Sequence, residues 1–215
     1  MKKFQLVFTG ESDLLMHADN IDAADELKEW QRAPANKKVS VSGDDRSPPW
    51  TWQSYLYHDG THVCLPSDNV MSCLRNAGAG MKVKGSKTLK SSTQSGIVPD
   101  TDFFEFLVGG KRVPMAPIQK MRDVDFAEQC KAVQALGFTL FKKRARVGTS
   151  KHVRVRPRFA RWAVVGTVTV IDPILTPEVM STLMHEAGNF GLGDWRPGGR
   201  TPGVFGRFKG TAKLL

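Results

Sequence analysis

The chain has 215 residues and carries 31 Lys and Arg against 21 Asp and Glu, a net charge of +10 at pH 7 with histidine neutral. It is 40% hydrophobic with 12 Phe and 5 Trp, which excludes a disordered chain and suits one domain with a full core. No apolar run approaches the roughly 20 residues of a membrane span. The opening MKKFQLVFTGESDLLMH is interrupted by Thr9, Gly10 and Glu11 and has no small-residue cleavage site, so it reads as a first strand rather than a secretory leader. Cys64, Cys73 and Cys130 are scattered without CxxC spacing. Packed thiols in a reducing cytosol are expected, with no zinc site, and a cytoplasmic location follows as the expectation.

In chain order, Phe4, Leu6 and Phe8 alternate with Gln5, Val7 and Thr9 and predict a strand over 4–16. Residues 19–31 read as a short acidic helix or loop, and 33–49, ending in SPP, as a surface loop. TWQSYLYH and THVCLP flank Asp59-Gly60, which predicts a hairpin with a tight turn. Trp50, Trp52, Tyr55 and Tyr57 alternate along its first arm and are expected in core or intersubunit packing. Ser67 is placed to cap a helix with Val70, Met71 and Leu74 on one side and Gly78 as its stop. Residues 82–96 are small, polar and basic and predict a flexible loop.

FFEFLV before Gly109-Gly110 predicts another hairpin, 124–136 a short helix, and Phe138–Phe141 a strand. The β-branched run at 160–172 is the strongest strand, ended by Asp172-Pro173. Thr176-Pro177 opens a helix that Gly188 is expected to end. A glycine-rich segment and a final strand, GVFGRFKGTAKLL, follow. A strand–helix–strand unit occurring twice predicts an α+β fold with a ferredoxin-like (RRM-like) core. Residues 1–215 then form a single domain, with 80–150 as an inserted lobe or thumb region and a glycine-rich loop near the C-terminus.

The chemistry sits in two stretches. Residues 129–171 contain no Asp or Glu but ten Lys and Arg, a like-charge concentration that a polyanionic partner relieves. Residues 188–210 hold eight of the chain's 20 glycines together with Arg196, Arg200, Arg207, Trp195, Phe205 and Phe208. Glycines admit a bulky anion to the backbone, arginines neutralise phosphate and rings stack on bases. A single-stranded nucleic acid is the ligand this combination suits.

Four pieces of sequence resemble the RAMP superfamily, the guide-RNA-binding backbone proteins of type I and type III CRISPR effector complexes. They are the first strand running into LLMHADNID, the CLPSDNVMSCLRNA turn and helix, the Arg-rich entry RPRFARWAVVGTVTV, and the C-terminal glycine loop with GVFGRF. The loop GDWRPGGRTPG is longer than the family's usual one. The resemblance covers roughly 1–18, 60–80 and 150–212. It implies an antiviral-defence subunit that oligomerises head to tail along guide RNA in a homo-oligomeric filament, with target nucleic acid and other effector subunits as further partners and no cofactor or membrane. A phage or mobile-element protein that coats single strands outside any such complex is the alternative.

Candidate nucleic-acid-binding residues follow. Ser67 and Asn69 stand at a helix start that favours phosphate, with Arg75 one to two turns on. Lys82, Lys84, Lys87 and Lys90 are either a solvated loop or a flap over the strand. Arg154, Arg156 and Arg158 alternate with His152 in phase and form a basic stripe on one strand face, extended by Arg144, Arg146 and Lys151. Trp195 and Phe205 either stack on bases or pack the loop, and Arg196, Arg200 and Arg207 add charge. In type III backbone relatives an acidic residue after the first strand supports metal-dependent RNA cleavage, which makes Asp19 and Asp22 the catalytic candidates of a ribonuclease reading. The other reading of these two is an acidic helix start. The histidines show no metal-ligand spacing, and an enzyme is the lesser expectation.

Overall fold

A computed structural model describes the backbone of residues 1–215 and every side chain except those of Lys84 and Val147. The elements in chain order are β1 (Lys2–Gly10), β2 (Leu14–Leu15), α1 (Ile21–Arg32), β3 (Cys64–Pro66), α2 (Ser67–Gly80), β4 (Lys82–Lys84), β5 (Lys87–Thr88) and α3 (Lys90–Ser95). There follow β6 (Ile97–Pro99), β7 (Phe103–Val108), β8 (Lys111–Arg112), α4 (Met115–Lys120), α5 (Phe126–Ala135), β9 (Thr139–Val147), β10 (Ser150–Phe159), β11 (Trp162–Val170), α6 (Pro177–Phe190) and β12 (Phe208–Leu214). The fold is a mixed α+β one.

Alternation builds the main sheet. Phe4, Leu6 and Phe8 of β1, Phe104 and Phe106 of β7, and Trp162, Val164, Val168 and Val170 of β11 all bury one face. The strands run antiparallel in the order β12-β1-β11-β7-β3, with β6 on the end of β11 and β8 on β7. Gly166 leaves room on β11 for the Phe104 ring, which a Cβ would meet at 2.4 Å. Helices α2 and α6 cover the buried face with Val70, Met71, Leu74 and Ala77 from one and Met180, Leu183, Met184 and Ala187 from the other. Thr176 caps α6 by accepting from the Val179 amide, and Pro177 fills its first position.

Register fixes two ends of the sheet. Lys2 pairs Val170 at one end and Thr9 pairs Ala163 at the other. At the Lys2 end lie the last turn of α2, the β4–β5 hairpin and the start of α6. At the Gly10 end the chain leaves the sheet for β2 and α1, for β9 and β10, and for the glycine-rich segment. There β2, β10 and β9 form a second sheet, in which the β9–β10 hairpin is a long arm.

Several expectations are corrected. The strand over 4–16 breaks after Gly10 and resumes only as β2. Residues Thr51–Tyr55 form a 3-10 helix rather than a strand. There Trp52 is buried and its indole N–H donates to Gln129 at 2.5 Å, a tertiary bond 77 residues away that overrides the β-like alternation. A tight turn does form, one residue further on: the Asp59 amide donates to His62 O across Gly60 and Thr61, and of the expected Asp59-Gly60 pair only Gly60 has positive φ, 93°. Ser67 is the first helical residue and not the cap, because Pro66 occupies the cap position and the Ser67 amide donates to Asp102 O. Residues 82–96 are ordered as β4, β5 and α3 rather than a loop. Gly188 does not stop α6, which continues to Phe190. It is glycine because a Cβ there would meet Phe208 O at 2.1 Å, so the helix sits directly on β12. Residues 80–150, expected as an insertion, divide: β6, β7 and β8 join the main sheet, and β9 is one strand of the arm.

Candidate nucleic-acid interface

Cross-strand pairs on the arm share a face, and the register sorts its eight Lys and Arg into two sets. Arg158 pairs Thr139, Arg156 pairs Phe141, Arg154 pairs Lys143 and His152 pairs Ala145. The opposite face carries Leu140, Lys142, Arg144 and Arg146, with Lys151 across from Arg146. Near the body this second face is apolar, since Leu140 and Val155 are buried. Toward the tip its charged side chains are all cationic, with Val153 among them. Lys142, Arg144, Arg146 and Lys151 are exposed, and among the described residues none of them pairs with a carboxylate.

The Arg154, Arg156 and Arg158 stripe is corrected. Arg156 is 5% exposed and is closed between Asp45 (3.0 Å) and Asp194 (3.0 Å), with its guanidinium 4.4 Å over the Tyr55 ring. Arg154 donates to Asp45 at 2.9 Å, and Arg158 Nε donates to Asp13 at 2.5 Å. Asp45 is itself 5% exposed and also accepts the Val155 amide. A desolvated guanidinium satisfied by two carboxylates has no charge left for phosphate. Arg154 and Arg156 instead fasten the 41–46 loop, the arm and the glycine-rich loop together, and Arg158 ties the arm to Asp13 between β1 and β2. His152 lies under the same loop, where Gly43 has no side chain to collide with its ring; a Cβ would come within 2.0 Å of Nδ1.

The glycine-rich loop lies against the first face of the arm. Phe141, Trp195 and Phe205 form a half-buried ring cluster, with centroids 5.9 Å apart for Phe141–Trp195 and 5.3 Å for Phe141–Phe205. The Lys143 ammonium stands 4.7 Å over the Trp195 ring. Trp195 holds φ 49°, a left-handed conformation that costs a side-chain-bearing residue energy and persists only where the surroundings impose it. Most of the loop's glycines meet a different need from admitting an anion. Gly203 and Gly206 pass so close to the Trp195 and Leu192 carbonyls that a Cβ would sit at 2.0 and 1.8 Å from them. The loop is a folded plug against β2 and α6.

Between this plug and the first turns of α2 opens a polar cleft of about 150 Å³, lined by His17, Tyr57, Asn69, Ser72, Asp194 and Arg196 among others. The Arg196 guanidinium is held by a bond to Gly193 O at 2.8 Å. The first amides of α2 and its dipole add positive potential, since no side chain caps that end. Burial, then the nearby Arg156 charge, holds the His17 imidazole below its ordinary range, so it is neutral at pH 7. Cys73, beneath the cleft, is pushed up to about 12 by burial and stays a thiol.

The structure therefore gathers Asn69, Arg196, Phe205, Arg144, Arg146 and Lys151 at the Gly10 end of the sheet. Ser67 begins the same helix, Arg75 is half-buried two turns along it, and Arg200 and Arg207 are exposed on the loop. It does not bring in Lys82, Lys87 and Lys90, which are exposed at the opposite end of α2; the Lys84 side chain lies outside the described residues. Asp19 and Asp22 are exposed, and Asp22 sits in the first turn of α1, where the dipole favours a carboxylate. Among the described residues no group of three or more His, Cys, Asp or Glu comes together to hold a metal ion. Phe141, Lys142 and Lys143 were not singled out from the sequence as site residues, although they stand in the acid-free stretch. His17, Tyr57 and Ser72 gave no signal, because only the folded chain sets them beside Arg196.

Comparison of the chain with protein-family models returns no match, and neither does comparison with curated proteins.

Proposed function

We propose that the protein is a single-stranded RNA-binding backbone subunit of the RAMP type, built on a ferredoxin-like core and assembling head to tail along a guide RNA. The β12-β1-β11-β7 order supports the core. In a βαββαβ reading these strands are the fourth, first, third and second, with α2 and α6 on one face. The position of the arm, the glycine loop and the start of α2 at one end of that sheet supports the RAMP reading, because those are the parts the resemblance implies grip the guide.

One observation carries the RNA-binding reading. One face of the arm holds Lys142, Arg144, Arg146 and Lys151, exposed and without carboxylate partners among the described residues, and the opposite face holds Lys143 over a half-exposed cluster of three rings. Four like charges on one face of a ribbon repel, and phosphates threaded along them relieve that repulsion, while the rings on the other face offer bases a surface to stack on.

The test is fluorescence anisotropy of labelled single-stranded RNA and DNA across a salt series. Each phosphate neutralised on a single strand contributes about −0.7 to the slope of log affinity against log salt. Replacing Lys142, Arg144 and Arg146 together by Ala therefore flattens the slope by about 2 units. A wild-type affinity that does not respond to salt, or a slope unchanged by the triple replacement, refutes the reading. Equal binding of RNA and DNA favours a coating protein over a guide-bearing one.

A further inference from the structure

At the Lys2 end of the sheet, far from the arm, two adjoining hollows of about 330 and 580 Å³ share Val83 and Ile174. Their apolar lining includes Leu89 and Val179, and Val83 and Ile174 remain 49% and 48% exposed. Lys82, Lys87 and Lys90 rim this groove and outnumber the single carboxylate at its edge, Glu178. Among the described residues no aromatic ring lines it. Aliphatic side chains offer bases nothing to stack on, whereas an apolar floor with a cationic rim suits an acidic helix.

Such a helix exists in the same chain at the opposite end. No residue of α1 is buried, and Ile21 is 73% exposed. Asp22, Asp25 and Glu29 lie along its exposed side, with Asp25 held only by Lys28 of the same helix. Helix α1 is anchored to the body by Glu26, which pairs with Arg122. The nine residues of β1 separate the two ends by roughly 30 Å at 3.3 Å per residue, so one copy cannot satisfy its own groove. Two complementary patches on opposite ends make a heterologous contact that repeats without closing.

We propose that the groove bounded by Val83, Ile174 and Lys82, Lys87 and Lys90 receives α1 of a second copy, with Ile21 in the apolar floor and Asp22, Asp25 and Glu29 against the lysine rim. The proposal names the contact surfaces of the head-to-tail assembly and rests on that part of the proposed function. It removes Lys82, Lys87 and Lys90 from the strand-binding set.

The test is sedimentation of the full chain at low salt over a concentration series, with strand binding measured in parallel by anisotropy. Wild type is expected to grow in size with concentration. One variant carries Asp22→Lys, Asp25→Lys and Glu29→Lys; the other carries Lys82→Glu, Lys87→Glu and Lys90→Glu. Each alone is expected to associate at least about tenfold more weakly, because like charges now face each other across the contact. An equimolar mixture of the two regains association, since each reversed patch then meets its opposite on the other variant. Both variants keep salt-dependent strand binding through the arm. Monomeric wild type at every concentration, association unchanged in either variant, or a mixture that stays monomeric overturns the proposal while leaving the RNA-binding reading intact. Loss of strand binding in the lysine variant with self-association unchanged also overturns it, and assigns the groove to nucleic acid. Loss of strand binding in the arm variant has no bearing on this contact, so the two readings fail separately.

Discussion

Asp45→Asn tests the clamp that holds the proposed interface in shape. Asp45 is 5% exposed and accepts from Arg154 at 2.9 Å, from Arg156 at 3.0 Å and from the Val155 amide at 3.0 Å. Asparagine keeps the size and one acceptor oxygen but removes the charge and turns an amide toward two guanidinium groups. Arg156, also 5% exposed, is then left with Asp194 as its one carboxylate. Breaking a buried ion pair from one side costs about 3–5 kcal/mol, because the remaining charge stays desolvated. At about 2–4 °C per kcal/mol for a chain of this size, Tm falls by roughly 6–20 °C. Asp44→Asn is the built-in comparison. Its partner Arg46 is 49% exposed, and such surface pairs contribute about 0–1 kcal/mol. Thermal and urea melts of the two variants against wild type decide the matter. If Asp45→Asn melts no lower than Asp44→Asn, Arg156 is not held by a buried carboxylate and is again a candidate for phosphate.

Two further outcomes follow from the cleft and the plug. The His17 imidazole is held below its ordinary value of 6.5, so the unfolded chain takes up the proton before the folded one does. Stability is then full above that value and declines as the pH falls through it, and His17→Asn should make urea midpoints less pH-dependent over that acid range. Gly206 holds φ 74°, and a Cβ there would stand 1.8 Å from Leu192 O. Gly206→Ala should cost more than about 1 kcal/mol and displace the loop that carries Trp195 and Phe205, weakening strand binding in the same anisotropy assay. A Gly206→Ala protein with wild-type stability would show that the loop does not pack as described.

The parts of the fold legible in the sequence are those governed by near neighbours. The alternation over 4–9 in β1 and in β11 and the Thr176-Pro177 start of α6 are local, and each forms where the residues place it. The unread parts depend on partners far along the chain. Arg154, Arg156 and Arg158 stand in a stretch without acids, and their carboxylates arrive from Asp13, Asp45 and Asp194, as many as 145 residues away. The alternation of Trp50, Trp52, Tyr55 and Tyr57 imitates a strand, but the bond from Trp52 to Gln129 and the burial of that indole wind the segment into a 3-10 turn. The glycines of 188–210 read from the sequence as room for an anion at the backbone. What most of them approach is the chain's own carbonyl groups.

The most direct measurement is photo-crosslinking of 4-thiouridine-labelled single-stranded RNA to the intact protein, with the modified peptides identified by mass spectrometry. Adducts are expected in the arm, over 139–159, and in the loop that carries Trp195 and Phe205. Adducts confined to 82–96, at the other end of the sheet, or none above the background of a double-stranded control, would contradict the account.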